Sequence, residues 1–105
     1  MAKRRIFAVR TPLGYRVILA RDRWREIVRF KHPALRGYEH DVQACVADPD
    51  FVRRSEKEPE VHLYYRAVER GLLCTVIAGD NPDARFVVTA YFTRSPKTGD
   101  DLWTK

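Results

Sequence analysis

Ala84-Arg-Phe-Val-Val-Thr-Ala-Tyr-Phe-Thr-Arg94 is the stretch on which the fold turns. Strict alternation along an extended chain puts Phe86, Val88, Ala90 and Phe92 on one face, and Arg85, Val87, Thr89, Tyr91 and Thr93 on the other. The pattern predicts a strand with one buried face and one working face. Threonine and tyrosine are also good strand formers on solvated sheets, so companions from other segments must give the second face its meaning.

Those companions lie upstream. Val61 to Val68 alternates as well, with Val61, Leu63, Tyr65 and Ala67 on the apolar face and His62, Tyr64, Arg66 and Val68 on the other. Leu72 to Ala78 is an unbroken apolar run suited to a central strand, and Phe51 to Arg54 reads as a short one. Together they predict an antiparallel meander of three to four strands over residues 51–94, followed by a C-terminal tail at 95–105.

Further upstream, two apolar runs around Thr11-Pro12-Leu13-Gly14 predict a hairpin over residues 4–20. Trp24, Ile27, Val28 and Lys31 recur at helical spacing after Asp22, and Pro33 stops that helix near His32. Tyr38, Val42, Cys45 and Val46 mark a second helix, which Asp48-Pro49-Asp50 ends, so the helices fall within residues 23–47. The expected fold is one α+β domain: an N-terminal hairpin and two helices packed on one face of a twisted antiparallel sheet.

The chain has 105 residues, room for one core but not for two domains. Twenty Lys and Arg against fourteen Asp and Glu give a formal charge of +6, which suits an anionic partner and equally keeps a small domain soluble. The basic start, Met1 to Arg5, reads either as a nucleic-acid-touching arm or as a frayed terminus. Cys45 and Cys74 stand alone in apolar elements, without metal-ligand spacing, and read as reduced core residues of a cytoplasmic protein. No signal peptide or membrane span is expected, and no metal or other cofactor.

If the helices cover Phe86, Val88, Leu63 and Tyr65, the opposite face gathers Tyr64, Arg66, Thr89 and Tyr91, with His62 beside them. Such a face suits RNA cleavage without a metal, which needs a base for the ribose 2′-OH, cationic donors for the phosphorane and an acid for the leaving oxygen. Arg66 would clamp the phosphate, Thr89 would donate to it, and Tyr64 or Tyr91 would stack a base. His32, beside Lys31 and before a rigid proline, is the preferred proton carrier; its alternative role is to cap the helix end. His62 is its rival, and His40 falls on a solvated helix.

Trp24-x-x-Ile27, Lys31-His32-Pro33-x-Leu35, Asp41-Val42, Asp48-Pro49-Asp50, Tyr64 with Arg66, and Val87-Val88-Thr89-Ala90-Tyr91 form a dispersed pattern. It resembles the phage-associated branch of the barnase, EndoU, colicin and RelE-type nuclease superfamily, over roughly Trp24 to Thr93. The resemblance implies a helix-plus-antiparallel-sheet fold and a metal-independent ribonuclease site with His32, Arg66, Thr89 and Tyr91 as catalytic residues. Lys31, Tyr64 and His62 would bind the substrate. RNA is the implied partner, with an immunity or antitoxin protein as a further candidate, and the role that of a toxin-like or phage-borne effector. The competing expectation is a basic nucleic-acid- or protein-binding module without turnover.

Overall fold

The computed structural model describes residues 4–105, so most of the basic start at Met1 to Arg5 lies outside the described residues. Strand β1 (Arg5–Arg10) and strand β2 (Arg16–Ala20) form the expected hairpin, with the turn closed by Gly14 at φ +97°. Helix α1 (Arg21–Glu26) follows at once and widens into a π-helical turn, Ile27–Lys31. The His32 amide closes that turn by donating to the Ile27 carbonyl at 2.7 Å. A 3₁₀ turn (Pro33–Leu35) leads to helix α2 (Glu39–Ala47). The remainder is strand: β3 (Phe51–Arg54), β4 (His62–Val68), β5 (Gly71–Ala78), β6 (Ala84–Thr93) and β7 (Asp101–Thr104).

All seven strands among the described residues join one sheet, in the order β1-β2-β6-β5-β4-β3-β7. This corrects the expectation of three to four antiparallel strands. The sheet is mixed, because β2 runs parallel to β6, pairing Arg16–Ile18 with Ala84–Phe86. The expected tail is also partly strand, since β7 pairs antiparallel with β3. Neither pairing leaves a local mark: one joins segments far apart in sequence, and the other rests on four residues beyond a loop.

The two faces of the sheet differ from the expected assignment, for a physical reason. Val76 pairs with Thr89 but Ile77 pairs with Val87, so Val88 is an extra residue in β6, a β-bulge that breaks strict alternation. Val87 and Ala90 both enter the core beneath the helices, while Phe86 is left 48% exposed. In β4 the assignment is inverted: Tyr64 faces the helices together with Leu73 and Ile77, whereas Leu63 and Tyr65 face the other way with Cys74. Fully buried Leu19, Ile27, Leu35, Leu73 and Ile77 anchor the helix side, each contributing roughly 1.5–3 kcal/mol.

The second face is covered by chain rather than by helix. After β6 the backbone crosses from one side of the sheet toward the opposite edge, and the Lys97 amide donates to the Tyr65 hydroxyl at 3.0 Å on the way. Arg53 donates to the Lys97 carbonyl at 3.0 Å and pairs with Asp101, which fixes the far end of this strap. Beneath it Phe51 stacks on Tyr65 with ring centroids 4.8 Å apart. Among the described residues no helix is long and apolar enough to cross a membrane.

Candidate functional site

The π turn and the proline behind it hold His32 where the helical layer ends, half-buried. Strand β6 has β2 on its outer side only over Ala84–Phe86 among the described residues, so its second half borders the helical layer instead. There the His32 ring meets Tyr91, with centroids 5.8 Å apart and planes tilted by 36°. Lys97, from the strap, places its ammonium 5.9 Å from the centre of the same Tyr91 ring. An imidazole and a cation from two distant segments thus converge on one phenol.

Thr89 shares the face of Tyr91, two residues back along β6 and beyond the bulge. Both hydroxyls are enclosed: among the described residues that of Thr89 has no hydrogen-bond partner, and that of Tyr91 has only the Cys74 thiol to donate to. Such under-satisfied groups are uncommon in folded proteins. Burial above all, and then the neighbouring Cys74 thiol, pushes the Tyr91 phenol far up, so it stays protonated and able to donate. Burial likewise raises the Cys74 thiol, and it pushes Tyr65 up to about 12.

The expected site residues therefore divide. His32, Thr89 and Tyr91 come together, with Lys31 exposed just before His32. Arg66 does not join them: it lies on the helix-side register of β4 and donates to the carbonyl and carboxylate of Asp48, at the end of α2. Lys105 first and Arg66 second hold the Asp48 carboxyl below its usual range. Asp50 ties the same corner, accepting from the Ala67 amide at 2.7 Å, so Asp48-Pro49-Asp50 and Arg66 act as a structural clasp. His62 and Tyr64 also lie on the helix side, in a hydrogen-bonded chain with Tyr15. His40 is exposed on α2.

Sequence reasoning missed Lys97 and Tyr65. Lys97 sits in a loop without periodicity, and its place over the sheet depends on the β3–β7 pairing; Tyr65 carried a signal, its alternation, but was assigned to the wrong face. Glu39, at the start of α2, accepts from the Trp24 indole at 3.0 Å and from the Gly37 amide at 3.1 Å. Cys45 is buried, with burial pushing its thiol up to about 12, and both cysteines are free. Among the described residues no three of His, Cys, Asp and Glu gather in a metal-binding group. Comparison of the chain with protein-family models, curated proteins and solved structures finds no match in any of the three.

Proposed function

We propose that this domain cleaves RNA without a metal, at the site formed by His32, Tyr91, Thr89 and Lys97. The observation that carries the proposal is the convergence of His32 and Lys97 on Tyr91, whose hydroxyl is enclosed like that of Thr89 beside it. In the reaction the neutral His32 imidazole takes the ribose 2′-OH proton. The 2′-oxygen bonds to phosphorus, the bond to the 5′-oxygen breaks, and that oxygen takes a proton from water, leaving a 2′,3′-cyclic phosphate. Lys97 stabilises the charge that builds on the phosphorane oxygens. The Thr89 hydroxyl, without a partner among the described residues, and the Tyr91 hydroxyl supply further hydrogen bonds to the phosphate. Two reduced, buried cysteines fit a cytoplasmic setting.

Purified protein should cut single-stranded RNA in the presence of EDTA and leave 2′,3′-cyclic ends, and His32→Ala should slow cutting by about 10²–10⁴-fold with the fold intact. Cleavage that disappears with chelator overturns the metal-free mechanism. Undiminished cleavage by His32→Ala overturns the site.

A further inference from the structure

A second polar cluster lies at the other end of β6, on the helix-covered face. Tyr15 follows the β1–β2 turn, His62 and Tyr64 belong to the start of β4, and Arg85 to the start of β6. The Tyr64 hydroxyl donates to the Tyr15 oxygen at 2.6 Å, and that oxygen stands 2.7 Å from His62 Nδ1. Because the Tyr15 oxygen already accepts from Tyr64, its own proton goes to Nδ1, which places the imidazole proton on Nε2. Nε2 meets no protein partner among the described residues and is not among the enclosed polar atoms, so the chain ends in a donor open to the surface.

Arg85 closes the cluster. Its guanidinium carbon lies 4.6 Å from the centre of the Tyr15 ring, and one terminal nitrogen donates to the Glu60 carbonyl at 2.9 Å. Its Nε is buried without a partner, and no carboxylate among the described residues pairs with it. Arg54 stands opposite His62 across the β3–β4 pairing, and its acidic neighbour Asp100, 3.6 Å away, is 84% exposed. A partly buried cation left unpaired is costly, and a bound anion would remove that cost.

The geometry points to a binding site for a phosphoryl oxyanion, held by Arg85, His62 Nε2–H and Arg54. A tetrahedral phosphate presents enough oxygens to meet three donors coming from three strands, whereas a carboxylate has two. Arg85 lies over the Tyr15 ring, whose centre is 5.7 Å from that of His62, and Arg54 is the cross-strand partner of His62; both also lower the proton affinity of the imidazole. A phosphate settling among them would reverse that effect. The site lies at the other end of β6 and on the opposite face of the sheet from Thr89 and Tyr91, and it stands or falls independently of RNA cleavage.

The test uses the full chain carrying His32→Ala, with the His62 ring resonances followed by NMR during titration with inorganic phosphate or with a single-stranded oligodeoxyribonucleotide. Saturation by phosphate, with the His62 pKa rising by about 1–3 units, supports the site and identifies a free or terminal phosphate as its ligand. Saturation by the oligonucleotide alone supports it with an internal phosphodiester as the ligand. Arg85→Gln should remove saturation. Arg54→Gln should weaken it severalfold, and because that side chain is exposed, this variant keeps the question answerable if Arg85→Gln does not fold. No saturation by either probe, or saturation unchanged in an arginine variant that stays folded, overturns the proposal.

Discussion

His62 should make the stability of this protein fall in weak acid, by an amount the structure sets. Burial first, then Arg85 and Arg54, lowers its pKa from 6.5 to about 4. The unfolded chain therefore binds a proton below the upper value that the folded chain refuses until the lower one. Stability is complete above pH 6.5 and is lost as the pH falls toward 4. The full span of about 2.5 units corresponds to a ceiling of about 3.4 kcal/mol. His62 is only half-buried and solvent screens its neighbours, so roughly half of that, about 1.5 kcal/mol, is the expected loss. Urea unfolding at about pH 7.5 and about pH 4.5 measures it, with His62→Gln as the reference in which the carboxylates and other histidines titrate alike. The native protein should lose about 1–1.5 kcal/mol more than His62→Gln across that interval. Equal losses would refute the idea that burial, with Arg85 and Arg54 beside it, holds the imidazole neutral.

Three further substitutions separate framework from site. Arg66→Ala should leave RNA cleavage unchanged and cost no more than about 1 kcal/mol in urea unfolding, because Arg66 serves a solvent-facing clasp with Asp48. Lys97→Met should keep the strap, whose bonds to Tyr65 and Arg53 run through the Lys97 backbone, yet reduce cleavage by about 10²–10³-fold at unchanged stability. Gly99→Ala should destabilise by about 1–3 kcal/mol, because its methyl would overlap the Arg54 carbonyl oxygen and push the chain off β3. Faster amide exchange at Val52 and Arg54 would register that displacement.

The hairpin, the helix stop before Pro33 and the short helix ahead of Asp48-Pro49-Asp50 were legible because turn chemistry and helical spacing are local. The three central strands were legible for the same reason. What stayed hidden was non-local: the parallel pairing of β2 with β6, and the strap that brings β7 to β3 and Lys97 to Tyr91. The site was legible in part. His32 and Tyr91 were singled out separately and do meet, but Arg66 was placed with them on the strength of an alternation that β4 obeys in the opposite sense.

The bulge at Val88 explains both the failed reading and the shape of the site. With unbroken alternation, sending Val87 into the core would also send Thr89 and Tyr91 beneath the helices, away from Lys97 and the strap. Turning the strand over to expose Thr89 and Tyr91 would instead pull Val87 out of the core, where it is 1% exposed. One extra residue resolves the conflict, because Val87 and Ala90 stay on the helix side while Thr89 and Tyr91 point the other way. Deleting Val88 removes the extra residue and leaves Val87, Thr89, Ala90 and Tyr91 in strict alternation, with Ile77 still opposite Val87 and Val76 still opposite Thr89. Each of the four side chains then keeps its present face, so the shortened strand should fold and cleave much as the native chain does. Val88→Ala, which keeps the bulge, should do the same. A Val88 deletion that unfolds the chain or abolishes cleavage would refute this account of the bulge as a correction of register.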